Sequence, residues 1–247
     1  MAVEFRMPHD VVYYEADVTG KLSLPMLYNL VILSSTQQAI DLGIGPDYTH
    51  EKGVGWVVLQ QVVTIKRRPN DGEKVILSTT AKQFNPFFAR REYRILDTDG
   101  NDLVVMDGFF SMIDMNKRKL ARIPQEMAEA YQPEHVRKIS RLAAVDGIDD
   151  NQTIDYKKEY EVRFLDIDSN HHVNNSKYAD WMVDVLPLEF LKSHEPTAMN
   201  IKYEHEVLPG NQVVSEVQVV GNTTKHRIMF GDTVSAEATI DWTLANN

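Results

Sequence analysis

Residues 160–187 read YEVRFLDIDSNHHVNNSKYADWMVDVLP, and the fold turns on how this stretch divides. YEVRFLDI (160–167) predicts a strand, and the run from about Asn174 to Leu186 predicts a helix ended by Pro187. Tyr178, Trp181, Met182 and Val185 fall at i, i+3, i+4 and i+7, which makes one apolar stripe along that helix. The same order occurs once before. VVYYEADV (11–18) predicts a strand, and Leu24 to Leu42 predicts a helix. Leu27, Leu30, Val31, Ile32 and Leu33 make one end of this first helix apolar nearly all round, as expected of a helix that is covered on every side.

Each predicted helix is followed by a series of β-rich runs. In the first half these are WVVLQQVVTI, KVILSTTA, RREYRIL and LVVMDGFFSMI, separated by turns at 69–72, 97–102 and 116–119. In the second half they are MNIKYEHEVL, VVSEVQVVG, HRIMFG and TVSAEATIDWTL, with a turn at Pro209-Gly-Asn211. Matching Tyr28 with Tyr178 gives an offset of 150, and the prolines 69 and 209 an offset of 140, so the second copy has the shorter loop. Two helix-plus-sheet units of similar size imply duplication of one α+β plan, a long helix wrapped by an antiparallel sheet. The units are expected at 1–124 and 157–247, joined by a polar linker at 125–156 that holds a short helix.

Composition narrows the function classes. Hydrophobic residues make up 43% and charged residues 25%, a globular balance. The apolar run LYNLVILSS (27–35) is far below the roughly 20 residues that span a bilayer. The N-terminus carries no stretch of signal-peptide character, and cysteine is absent, so thiolate chemistry and disulfides are excluded. Together these favour the cytosol. A net charge of −10 argues against nucleic acid and against membrane adhesion through basic patches.

Reactive side chains crowd one place. Asp166, Asp168, Asn170, His171, His172, Asn174 and Asn175 sit within ten positions at the junction of the second strand and its helix. A helix N-terminus offers free backbone N–H groups and a positive dipole end, both suited to a developing oxyanion. A histidine there can hold or relay a proton near neutral pH. Helix capping accounts for one or two such residues but not for seven, and it requires neither histidine. Adjacent histidines point in different directions, and there is neither an HxxxH pair nor HExxH, so no metal is expected. No GxSxG elbow is present. Gly53-Val-Gly55 lacks the third glycine of a dinucleotide fingerprint and precedes a strand.

The stretch Asp168-Ser-Asn170-His-His172-Val-Asn-Asn-Ser-Lys-Tyr178-Ala-Asp-Trp181 resembles the D-x-N-x-H-V-N-N-x-K-Y-x-x-W signature of the acyl-acyl carrier protein (acyl-ACP) thioesterases. Asn200-Ile-Lys-Tyr203-Glu-His-Glu206-Val207 is similar to the family's second motif, in which a strand carries a glutamate. GWVVLQQVVTIKRRPNDGEKV and Met115-Asn-Lys-Arg-Lys-Leu-Ala-Arg-Ile-Pro124 resemble family segments in the first half, so the likeness covers roughly residues 5–243. It implies a tandem (double) hotdog fold, two antiparallel sheets each wrapped round a long central helix. The N-terminal unit would shape the acyl pocket, and the C-terminal unit would carry catalytic Asp168, Asn170, His172 and Glu206.

The implied reaction is hydrolysis of fatty acyl-ACP without cofactor or metal. Plant members often place a cysteine after the glutamate, whereas Val207 stands here, so water must attack, directly or through a transient acyl-glutamate. Glu206 is expected to act as general base on the water, which Asn170 helps to position. His172 would hydrogen-bond the reacting groups, and Asp168 would orient Asn170 or His172. The partner, ACP, is acidic, so an acidic enzyme needs a local basic patch. Lys66-Arg67-Arg68, Arg90-Arg91 and Lys117-Arg118-Lys119 are candidates, unless they are simply solvated turns. The rival readings are an acyl-thioester dehydratase and a non-catalytic acyl-thioester binding protein. Duplication supplies two units in one chain and leaves pairing into a homodimer open.

Overall fold

The computed structural model describes residues 2–168 and 172–245. Strand β1 (Glu4–Asp10) leads to the long helix α1 (Leu24–Asp41) and the short α2 (Pro46–Glu51). Four long strands follow, β2 (Val54–Ile65), β3 (Lys74–Phe84), β4 (Phe88–Leu96) and β5 (Asp102–Asp114). The two-residue β6 (Lys119–Leu120), α3 (Gln125–Ala130) and β7 (Glu134–His135) begin the connection to the second half. That half runs β8 (Tyr156–Glu161), α4 (Asn175–Asp184), α5 (Leu188–Ser193), β9 (His194–Tyr203), β10 (Gln212–Val220), β11 (Thr223–Phe230) and β12 (Thr233–Leu244).

Both long helices form where their apolar pattern predicts. The Ser23 hydroxyl accepts the Met26 N–H at the start of α1, where Pro25 costs no hydrogen bond. The Asn174 side chain accepts the Ser176 N–H at the start of α4. These equivalent caps lie 151 positions apart, one more than the tyrosine match suggested, so Tyr178 corresponds to Leu27.

The strand order is β1-β3-β4-β5-β2-β9-β12-β11-β10-β8, antiparallel throughout. Read inward from either edge, each half repeats one plan: the strand before the helix lies outermost and the first strand after it innermost. The two sheets expected from the sequence are therefore corrected to one. β2 pairs with β9 from Gln60↔Lys202 to Thr64↔Ala198. Each half-sheet alone would end in a row of unpaired backbone groups, and joining the two inner strands satisfies them.

The two opening strands lie earlier in the chain than predicted: VVYYEADV (11–18) forms no strand, and YEVRFLDI (160–167) is strand only at its first two residues. β1 ends at Asp10 and β8 at Glu161, and the next residues form 3-10 turns at Tyr13–Glu15 and Phe164–Asp166. The cause is local competition for backbone donors. The Glu15 carboxylate accepts the Val12 N–H at 3.0 Å, and the Asp166 carboxylate accepts the Arg163 N–H at 2.8 Å. The apolar pairs on these turns, Tyr13-Tyr14 and Phe164-Leu165, are left exposed.

One core runs through both halves. Leu27, Tyr28 and Val31 of α1, Tyr178, Trp181 and Met182 of α4, and Met106, Ile201 and Ile240 of the sheet belong to the same buried cluster. The helices pack on one another as well as on the sheet. Among the described residues, no helix is long and apolar enough to cross a membrane.

Candidate active site

The loop before α4 is closed on itself. Asp168 N–H donates to the His172 carbonyl at 2.8 Å, the His172 N–H donates to the Asp168 carboxylate at 3.3 Å, and Ile167 bridges Val173. Asn174 N–H donates to the Asp166 carbonyl, which ties the helix start to the preceding turn. Burial opposes ionisation of Asp166, but hydrogen bonds from the Arg163 guanidinium and backbone N–H outweigh it and hold the carboxyl below its usual range. Asp166, Asp168 and Asn174 thus have identifiable structural work in shaping the turn, and that shape presents His172.

His172 meets Glu206, which follows the end of β9. Nε2 of His172 lies 2.9 Å from Oε1 of Glu206. The structure brings these two candidates together, with Asp168 bonded to the backbone of the first. The fourth candidate, Asn170, lies outside the described residues, as does His171. Among the described residues, no group of three or more His, Asp or Glu side chains is arranged to hold a metal ion.

Arg118 also belongs to this cluster. Its Nη1 lies 2.9 Å from His172 Nε2, and its Nη2 donates to Oε2 of Glu206. It comes from the turn between β5 and β6, in the other half of the chain. Asp114 builds that turn. Its carboxylate accepts the Lys117 N–H at 2.8 Å and the Asn116 N–H at 3.0 Å, which hold it below the usual carboxylate range, and its carbonyl accepts the Arg118 N–H. Arg118 itself adopts φ +51°, in the left-handed region that a residue with a Cβ enters at a cost. The sequence signal was the basic run 117–119 in the turn at 116–119, within the family-like segment Met115–Pro124, which marks a docking patch or a solvated turn and not a contact with Glu206.

Within the other two basic runs Lys66 and Arg67 are exposed, whereas Arg68 and Arg91 are not solvated. Arg68 is buried, with its guanidinium on Asp17 and Glu195 and its Nη2 on the Thr19 hydroxyl. Arg91 is buried on Gln38 and Thr79, against the Tyr131 ring. Arg67 and Arg90 pair with Glu73 and Asp107.

The Arg68 cluster is a counterpart of the His172–Glu206 site. Glu15 and Asp166 end equivalent turns, so Asp17 corresponds to Asp168 and Lys21 to His172. The N–H groups of Lys66 and Arg67 both donate to the Leu103 carbonyl, as those of Glu204 and His205 do to the Ser235 carbonyl, so Arg68 corresponds to Glu206. The first half thus carries Asp17, Lys21 and Arg68 where the second carries Asp168, His172 and Glu206. Burial opposes the Arg68 charge, but its hydrogen bonds to the Glu195 and Asp17 carboxylates raise its pKa above the ordinary value, so the guanidinium stays charged.

A cavity of about 520 Å³ lies under α1 in the first half. Asp168, Asn174, Asn175 and Ser176 are the second half's contributions to its wall, while Ile32, Trp56, Phe110, Met127, Tyr131 and others of the first half make up the rest. His172 and Glu206 are not part of this wall. The asymmetry follows from the helices. On α4, Tyr178 and Trp181 fill the space under the sheet, with Tyr178 edge-on to Tyr203 at 5.3 Å. α1 instead presents Ile32, Ser35, Thr36 and Ala39 to the cavity. Burial pushes the Tyr178 hydroxyl up to about 12 and that of Tyr203 well above its usual value, so both stay neutral. The Tyr203 hydroxyl reaches Gln61 at 3.2 Å and the Asn175 carbonyl at 3.3 Å, tying the inner strand pair to the start of α4.

Comparison with known proteins covers nearly the whole chain. Residues 2–131 match the acyl-ACP thioesterase N-terminal domain, and residues 149–244 match the C-terminal domain. A chloroplastic palmitoyl-acyl carrier protein thioesterase of Arabidopsis thaliana is 28% identical over 240 residues, covering 92% of this chain and 58% of the plant protein. Its Gossypium hirsutum counterpart is 26% identical over 187 residues, 74% of this chain and 45% of that protein. The chain spans about half the length of the curated relatives it matches. A crystal structure from Lactobacillus plantarum, assigned as an oleoyl thioesterase, is 35% identical with a TM-score of 0.95, covering 100% of this chain and 98% of that one. The 12:0-ACP thioesterase from Umbellularia californica shares the fold at 21% identity, with a TM-score of 0.85 and 98% of each chain covered.

Proposed function

This chain belongs to the acyl-ACP thioesterase family, and from that membership we propose that it hydrolyses fatty acyl-ACP to free fatty acid and ACP in the cytosol. The observation that carries the reading is the His172–Glu206 contact of 2.9 Å beside the loop that enters α4, with Asp168 shared between that loop and the wall of a 520 Å³ cavity. The volume and lining fit an acyl chain, since ligand cavities of about 300–1,000 Å³ with mostly apolar walls are the norm. The repeated strand order and the single long helix per half support a tandem hotdog architecture whose two sheets are merged at β2 and β9. In that reading residues 1–124 shape the acyl pocket, 125–156 connect, and 157–247 carry the chemistry.

The chemistry follows from the groups present. Glu206 removes a proton from water as its oxygen bonds to the thioester carbonyl carbon, giving a tetrahedral oxyanion. Backbone N–H groups near the start of α4 are the donors nearest in kind to what that oxyanion requires. The C–S bond then breaks, and the thiolate of the carrier takes a proton from His172 or from the glutamic acid just formed. The net change is thioester plus water to carboxylic acid plus thiol. Asp168 holds the loop that presents His172, and Asn170 is assigned to the attacking water. With Val207 in place of a cysteine, no thiol competes for the nucleophile's role.

Thiol release from acyl-ACPs of chain lengths C8 to C18, with wild type beside Glu206→Ala, tests the proposal. Chain-selective release that is lost in the variant is the expected result. A silent wild type across the whole panel would refute hydrolysis of acyl-ACP.

A further inference from the structure

Arg118 is the cation on the candidate base, and it is delivered from the half that does not carry the dyad. Nη2 donates to one oxygen of Glu206, while His172 Nε2 faces the other oxygen at 2.9 Å. The same Nε2 lies 2.9 Å from Arg118 Nη1. A guanidinium only donates, so one ring nitrogen cannot serve both neighbours at once. With a proton on Nε2 the ring donates to Glu206, and without it the ring accepts from Arg118. The position of Arg118 is therefore coupled to where the proton of the pair resides.

Two independent observations indicate that this arrangement is built in. The first is the backbone. Arg118 is a residue with a Cβ held at φ +51°, in a turn that the Asp114 carboxylate and carbonyl pin from three sides. The second is reciprocity between the halves. In the charge-reversed counterpart, Arg68 stands where Glu206 does, and its partner Glu195 comes from the second half. Each half thus closes the other's cluster with a charge of opposite sign to the group it covers.

We propose that Arg118 is a positioning residue for the reaction. It clamps Oε2 of Glu206 so that Oε1 is held toward His172. The turn that carries it lies between two stretches of the cavity wall, Phe110 on one side and Ile123 and Met127 on the other, so the acyl-lined half and the dyad are held in one geometry. This inference rests on the thioesterase reading. It differs from carrier docking in that the charge acts on Glu206 rather than on the partner.

The test is steady-state hydrolysis of an acyl-ACP that the wild type accepts, with Arg118→Ala, Arg118→Lys and Arg118→Gly. Loss of the clamp should lower kcat by roughly tenfold to a hundredfold, the scale of a misplaced catalytic group, with KM changed little. Lysine should restore part of kcat, because it returns the charge without the fork. Glycine should lower kcat as alanine does yet leave the melting temperature undiminished, because glycine enters the left-handed region freely. A raised KM with kcat intact would make Arg118 a docking contact and overturn the inference. A fall of melting temperature and kcat together in all three variants would make its role structural and also overturn it. An inactive wild type would refute the thioesterase reading and this inference with it.

Discussion

His226 sets an acid limit on the fold that is separate from the chemistry. It lies on β11 with no exposed surface, Nε2 is 2.7 Å from the Thr224 hydroxyl, and Nδ1 has no hydrogen-bond partner among the described residues. The Thr224 hydroxyl also accepts the Trp242 indole N–H, so it can offer the ring at most one donor. Burial therefore pushes the imidazole from 6.5 down to about 3. A base whose pKa is lower in the folded protein binds its proton preferentially when unfolded, so stability is complete above 6.5 and lost as pH falls from 6.5 toward 3. At 1.36 kcal/mol per unit, the shift predicts a loss of about 2 kcal/mol between pH 7.5 and 5.0, and about 5 kcal/mol once pH is below both values.

His226→Gln removes the titration but not the surrounding carboxylates. Urea unfolding, followed by tryptophan fluorescence, would be run on both proteins at pH 7.5 and 5.0. The variant should lose about 2 kcal/mol less than wild type between the two conditions, a large share of the 5–15 kcal/mol that holds a typical domain. Equal losses would refute the claim that His226 is buried and neutral. The same experiment shows whether a decline in activity below pH 6 comes from the dyad or from unfolding.

Three further outcomes are expected. His172→Ala and Glu206→Gln should each reduce turnover by about 10²–10⁴-fold while the circular-dichroism melting curve is unchanged; near-normal rates in both would remove them from the site. Arg68→Met should destabilise the fold by about 2–3 kcal/mol in urea titration, less than a fully buried pair loses because Asp17 is partly exposed, and unchanged stability would show the network to be dispensable. Ala39→Phe, which adds a ring to the cavity wall, should move the products of an acyl-ACP mixture toward shorter chains in gas chromatography, and an unchanged profile would place the acyl chain elsewhere.

The sequence was informative wherever the determining interaction is local. Apolar spacing located α1 and α4 within a few residues, since a helix is defined by neighbours three and four positions apart. The crowding of Asp, Asn and His before α4 marked the loop that holds Asp168 and His172, because a helix N-terminus and a tight turn select those residue types. Local reading failed at 11–18 and 160–167, where a carboxylate three residues on captured a backbone N–H that the apolar pattern had assigned to a ladder.

What the sequence by itself determined is therefore the duplicated plan of one helix and one run of strands, the reactive loop, and the family. Only the tertiary structure decided that the two half-sheets are one, that Arg68 is buried while Arg118 reaches the dyad, and that residues at the start of α4 join α1 in the cavity wall. The physical reason is separation along the chain. Arg118 finds His172 across 54 positions and Glu206 across 88, and Arg68 finds Glu195 across 127. No pattern within a window of neighbours encodes which distant charge will neutralise a cation or which edge will pair with another. Those choices are made by the packing that brings β2 and β9 together.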